Sequence, residues 1–136
     1  MSDELPPKQA RVSLIEDHGS FRQALALMLD MEPDFTVVSQ AGSLSEARAA
    51  LVATDLAIVD LALPDGDGAD LIAELRRANP DVKILILSAT LDEANRVRVM
   101  KRGAAGVLDK LAGVDEILEE LRRLGTAGEV TDREQT

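Results

Sequence analysis

Cysteine, tryptophan and tyrosine are absent from the 136 residues, phenylalanine occurs twice and histidine once. Without cysteine there is no disulfide framework, no thiolate zinc site and no catalytic thiol, and the chain suits a reducing compartment, the cytoplasm. Positive charge is scarce as well. Fifteen Lys and Arg stand against 25 Asp and Glu, a net charge of −10. An acidic chain with so few rings lacks the counter-charge and the stacking surfaces that nucleic acid requires, so no direct DNA binding is expected. Long apolar runs are missing too. Ala57-Ile58-Val59 and Ile84-Leu85-Ile86-Leu87 are typical, far short of the ~20 residues of a membrane span, and no membrane partner is expected. Met1-Ser2-Asp3-Glu4 is acidic and lacks the basic-then-apolar order of a signal peptide.

What remains is one globular domain: 46% of the residues are hydrophobic, enough to bury a core without staples. Strand and helix patterns alternate five times. Residues 12–15, 35–38, 56–59, 82–87 and 106–108 read as strands. Helical spacing follows each: Phe21, Leu25, Met28, Leu29; then Leu44, Ala47, Leu51; then Leu71, Ile72, Leu75; then Ala94, Val97, Met100; then Val114, Ile117, Leu118, Leu121. Ser20-x-x-Gln23, Ser43-x-x-Glu46 and Thr90-x-x-Glu93 read as capping boxes, and Gly103 and Gly125 as helix stops. Residues 64–68 read as a loop. The runs 56–59 and 84–87 are apolar at every position, the pattern of a parallel sheet covered on both sides. The expected class is therefore α/β, with helices on both faces of a single five-stranded parallel sheet. Residues 1–10 read as an N-terminal arm, 11–125 as the domain and 126–136 as a polar tail or the start of a linker.

The polar residues fall at particular places. Glu16 and Asp17 end the first strand, Asp60 the third and Ser88 the fourth; Lys110 lies just past the fifth. In a parallel sheet these ends share one edge, where open α/β sheets bind ligands at the reversal of strand order. In the order 2-1-3-4-5, strands one and three flank that reversal, and Glu16, Asp17 and Asp60 meet across it. Crowded carboxylates need a cation. An oxygen-only ligand set suits a hard ion such as Mg²⁺. A lysine and a hydroxyl beside it suit a phosphoryl group, with Asp60 as the nucleophile. This reading requires positions 17 and 60 to lie together and open to solvent.

Glu16-Asp17, Asp60-Leu61-Ala62-Leu63-Pro64, Gly68, Ser88-Ala89 and Gly106-Val107-Leu108-Asp109-Lys110 together resemble the receiver domain of bacterial two-component response regulators, over about residues 11–124. Glu16-Asp17-His18 and the interval from Asp60 to Lys110 are most similar to receivers of the NarL/LuxR type, which precede a helix-turn-helix domain. The resemblance implies the flavodoxin-like sheet order 2-1-3-4-5. It implies Asp60 as phosphoacceptor, with Mg²⁺ held by Asp17, Asp60 and the Ala62 backbone carbonyl, and by Glu16 through water. Ser88 would bond one phosphoryl oxygen and Lys110 neutralise another. The partner implied is a sensor histidine kinase, and the output transcription; a homodimer is left open. Such a domain catalyses only its own aspartyl phosphorylation and dephosphorylation. Ser88 and Val107 take the switch positions, Val107 where many receivers carry Tyr or Phe. That valine also motivates a second reading, a phosphate-independent interaction or dimerisation module. A hydrolase on the same sheet would want an acid at position 62, where Ala62 stands.

Three other features read as structural. His18 is taken as a residue of the helix approach. Arg96, Arg98, Lys101 and Arg102 are taken as a solvated face opposite Ala94, Val97 and Met100. Asp65-Gly66-Asp67-Gly68-Ala69-Asp70 fails as a calcium loop, because Ala69, Asp70 and Arg76 stand where required residues belong.

Overall fold

The apolar runs of the sequence form five parallel strands in one sheet. The computed structural model describes residues 9–135, with side chains as far as residue 125. In chain order the elements are β1 (Ala10–Ile15), α1 (Gly19–Asp30), β2 (Phe35–Ala41), α2 (Leu44–Ala49), β3 (Leu56–Asp60), β4 (Ala62–Leu63), β5 (Gly66–Asp67), α3 (Leu71–Ala78), β6 (Lys83–Ser88), α4 (Glu93–Arg102), β7 (Gly106–Asp109) and α5 (Val114–Gln135). The sheet order is β2-β1-β3-β6-β7. With β6 and β7 as its fourth and fifth strands, this is the expected 2-1-3-4-5 arrangement, and all four pairings are parallel. Of the expected N-terminal arm, residues 1–8 lie outside the described residues, and β1 begins at Ala10.

Alternate residues of each central strand feed two separate cores. Ala57 and Val59 of β3, with Ile84 and Ile86 of β6, pack with Leu44, Ile72, Leu75 and Val99. Leu56 and Ile58, with Leu85 and Leu87, pack with Leu25, Leu29, Ile117 and Leu121 on the other face. Both faces of the sheet are therefore dry, which explains the unbroken apolar runs.

Local structure departs from the sequence reading at several points. Residues 62–67 form a short antiparallel hairpin, β4 with β5, where the sequence reads as a loop. Of the three capping boxes, only Ser43 caps its helix, its hydroxyl accepting from the Glu46 N–H at 3.0 Å, while Glu46 Oε1 accepts from the Gly42 N–H at 2.7 Å and not from Ser43. The Ser20 box does not form, since α1 starts at Gly19 with His18 before it and no side-chain cap. The Thr90 box is displaced by Asp92, whose carboxylate accepts from the Asn95 N–H at 2.8 Å. Helix α2 ends at Ala49, which leaves Leu51 40% exposed. Helix α4 buries Val99, while Val97 and Met100 are 41% and 44% exposed. Arg98 and Arg102 are not simply solvated. They reach Asp67 at 2.7 Å and Asp70 at 3.1 Å, while Val99 is buried. Helix α5 passes Gly125 and is described to Gln135. Among the described residues, no helix is long and apolar enough to cross a membrane.

Candidate functional site

The C-terminal ends of β1, β3 and β7 deliver the charged groups to one point. Glu16 follows β1 and is 2% exposed; Asp60 ends β3 and is 2% exposed. The Lys110 ammonium bridges them, 2.8 Å from Glu16 Oε2 and 3.0 Å from Asp60 Oδ2. It also lies 2.8 Å from His18 Nδ1. The same nitrogen stands 3.1 Å from Glu16 Oε2, so the imidazole lies against both the ammonium and the carboxylate. The Lys110 ammonium also lies 5.6 Å from the centre of the Phe21 ring, a cation–π contact that the helical reading of Phe21 does not anticipate.

The backbone fixes the acids. Asp60 Oδ1 accepts from the Ala62 N–H at 3.1 Å. Glu16 Oε2 accepts from the His18 N–H at 2.8 Å, and Arg22 donates to the Glu16 carbonyl at 2.6 Å. Gly68 is needed for close approach. A Cβ there would stand 2.0 Å from the Asp60 carbonyl oxygen, while the Gly68 N–H donates to Leu61 O at 2.8 Å.

Burial raises the Asp60 pKa above its ordinary value. The Lys110 hydrogen bond and the Ala62 N–H oppose that rise, and the Glu16 charge adds to it. For Lys110, burial works against the charged form, but the hydrogen bonds to Glu16 and Asp60 outweigh it and leave the pKa raised. The ammonium therefore stays charged, and the nucleophile candidate is held less acidic than a free aspartate.

Ligand atoms of Glu16, Asp17, His18 and Asp60 all lie within 4.8 Å of one another. Three carboxylates against one ammonium leave two negative charges, which one divalent cation would balance. Glu16 Oε1 is buried with no hydrogen-bond partner, the kind of orphaned acceptor that a cation or its water satisfies. The three carboxylates therefore fit a hard divalent ion.

The expected site residues mostly converge. Asp17 lies beside Asp60 and is open to solvent, as required. Asp60 is not: it is buried, and its two oxygens are taken by the Lys110 ammonium and the Ala62 N–H. Ser88 is buried at the end of β6, and its hydroxyl oxygen accepts from the Thr90 N–H at 3.2 Å. Asp109 turns away to cap Leu111 at 2.8 Å. Val107 is 7% exposed and belongs to the core under α4. The sequence reading misses His18 as part of the cluster. As the only histidine, two residues after Glu16, it carries a signal, but its approach depends on the turn between β1 and α1. The rejected calcium loop is otherwise occupied: Asp65 accepts from the Leu44 and Ser45 N–H groups, which hold its pKa low, and Asp67 and Asp70 pair with arginines.

A parallel sheet with paired acids and a lysine at its reversal point defines a class of α/β domain built to hold a cation and an anion together. Within that class the chain belongs to the response regulator receiver domain family, whose sequence model matches residues 12–122. Domains of this family accept a phosphoryl group on an aspartate and bind Mg²⁺ in two-component signalling. The chain is 31% identical over 131 residues to the transcriptional regulatory protein DegU of Brevibacillus brevis, covering 94% of this chain and 55% of that protein. It is 32% identical over 132 residues to the nitrate/nitrite response regulator protein NarL of Escherichia coli K12, covering 96% and 59%. The chain thus spans little more than half the length of these curated relatives. Among solved structures, a response regulator from Burkholderia pseudomallei, described with a phosphorylated aspartic acid, calcium ion and citrate, matches at 33% identity and a TM-score of 0.76, over 93% of this chain and 73% of that one. The non-phosphorylated HemR receiver domain of Leptospira biflexa matches at 31% identity and a TM-score of 0.77, over 85% and 94%.

Proposed function

We propose that Asp60 accepts a phosphoryl group from the phosphohistidine of a sensor histidine kinase, in a Mg²⁺-dependent reaction, and that the domain then alters its surface to control transcription through a DNA-binding region. The observation that carries this reading is the Asp60 carboxylate, held at the end of β3 by the Ala62 N–H and Lys110, with Glu16 and Asp17 alongside. Glu16, Asp17, Asp60 and the Ala62 carbonyl would hold the ion. Mg²⁺ bound there supplies positive charge for the transferring oxygens.

The residues divide the remaining work. An Asp60 carboxylate oxygen attacks phosphorus, and the bond to the kinase histidine nitrogen breaks. Lys110 leaves the carboxylate it now covers and follows the charge onto a phosphoryl oxygen, which exposes the nucleophile. The Ser88 oxygen accepts from the Thr90 N–H, so its own proton is left to donate to a second phosphoryl oxygen. That bond would draw in the segment before α4. With Val107 and no ring to swing, the switch rests on Ser88. Phosphate biases the two states only through contacts made in one of them.

Mg²⁺ with acetyl phosphate should add one phosphoryl group to the wild type, read by intact mass, and none to Asp60→Asn. Equal incorporation in the variant would overturn the assignment. A phosphate-independent interaction module is the second reading, favoured by the deep burial of Asp60 and by Val107. Beryllofluoride with Mg²⁺ separates the two: a change in shape or in self-association supports the phosphoryl reading, and no response supports the module. We also infer that the chain works in the cytoplasm, where the kinase phosphohistidine would meet it.

A further inference from the structure

We propose that His18 is a nitrogen ligand of the acidic site, and that it makes the site discriminate among divalent ions in favour of borderline transition metals. The proposal rests on the reading of Glu16, Asp17 and Asp60 as a cation site and extends it to a residue of different chemistry. Three observations support it. His18 precedes α1 and makes no side-chain cap hydrogen bond to that helix, so its ring is not committed to capping. Its Nδ1 lies 3.1 Å from Glu16 Oε2 and 3.6 Å from Asp17 Oδ1. The Lys110 ammonium, itself a cation, is held by Glu16, Asp60 and this same nitrogen. The structure thus already gathers two carboxylates and an imidazole nitrogen around one positive charge. Glu16 Oε1, buried and unpartnered, adds a further acceptor beside it.

Chemistry turns that donor set into selectivity. Carboxylate and carbonyl oxygens suit Mg²⁺, which gains little from an imidazole; Co²⁺ and Zn²⁺ gain much more. Removing the ring should therefore cost the two kinds of ion unequally. The side chain is 68% exposed, so His18→Ala should fold normally.

Titration calorimetry with Co²⁺ and with Mg²⁺, on tag-free wild type, His18→Ala and Asp17→Asn, tests the idea. We expect His18→Ala to weaken Co²⁺ binding by about tenfold or more while Mg²⁺ binding changes by less than about twofold. The chain has a single histidine, so its imidazole resonances give an independent readout: Zn²⁺ should shift them strongly and Mg²⁺ barely. Equal losses for Co²⁺ and Mg²⁺ in His18→Ala, or imidazole resonances that ignore Zn²⁺, would overturn the proposal. Where Mg²⁺ binding depends on Asp17 but Co²⁺ binding ignores His18, this proposal fails and the acidic site stands. Where neither ion binds the wild type, or Asp17→Asn changes neither affinity, the cation site fails and this proposal with it.

Discussion

The Lys110 ammonium lies 3.0 Å from Asp60 Oδ2 and 2.8 Å from Glu16 Oε2, tying the end of β7 to those of β3 and β1. Both carboxylates are almost wholly buried. Removing the cation leaves two negative charges facing each other in the interior. Lys110→Ala should therefore lose about 3 kcal/mol of folding stability at neutral pH, measured by urea denaturation. The Lys110 pKa is raised in the fold. Its contribution is thus complete below the ordinary 10.5 and disappears only as pH climbs past the folded value. A variant as stable as the wild type at pH 7 would mean that the bridge contributes nothing.

Asp60 itself gives the opposite sign. Its pKa is raised, chiefly by burial, so the folded state binds its proton more tightly than the unfolded chain does. Between the ordinary 3.8 and the raised folded value, stability falls as pH rises. Above that window the ionised carboxylate is a net cost. Asp60→Asn should therefore be more stable than the wild type at pH 7, with Lys110 still paired to Glu16. The gap should narrow as pH drops through the window. Urea midpoints at several pH values check this, and a variant less stable than the wild type at pH 7 would refute it.

Gly68 and Gly125 should respond in opposite directions to the same change. A methyl at Gly68 would meet the Asp60 carbonyl oxygen at 2.0 Å and Val59 Cγ1 at 3.1 Å, both inside the packed end of β3. Gly68→Ala should lose about 3 kcal/mol, because backbone must move to admit it. Gly125 lies in α5, and a Cβ there would meet nothing within 4 Å. Gly125→Ala should gain about 0.5 kcal/mol from helix propensity. Thermal melts of the two variants decide the matter; a tolerated alanine at 68 would remove the steric account of that glycine.

Strand order and the acidic site are legible in the sequence because both depend on position along the chain. Runs such as Ile84–Leu87 have no polar face, which only a doubly covered sheet accommodates, and Asp60 and Lys110 follow strands whose ends must share an edge. Features set by side-chain reach are not legible. Ser20 and Thr90 sit in sequences that satisfy a capping box, yet the ends of α1 and α4 are decided elsewhere, at α4 by the Asp92 carboxylate. The β4–β5 hairpin is two residues on each side, too short to show alternation. His18 joins the cluster through the turn after β1, which no spacing rule encodes. The Lys110 bond to Asp60 joins residues 50 positions apart, which no local pattern encodes.

Helix α4 offers the sharpest contrast between pattern and packing. Its helical spacing singles out Ala94, Val97 and Met100, but its one buried residue is Val99, at 0% exposure. Arg98 and Arg102, one turn apart, reach Asp67 and Asp70, while Val99 belongs to the same core as Ile84 and Ile86. These ion pairs are largely solvent-exposed, so each should contribute under about 1 kcal/mol. Val99 carries the attachment. Val99→Ala should cost about 2 kcal/mol through lost packing and a residual cavity, whereas Val97→Ala and Met100→Ala should each change stability by less than about 0.5 kcal/mol. Chemical denaturation of the three variants measures the difference. Equal costs at 97 and 99 would refute Val99 as the residue that anchors α4 to the sheet.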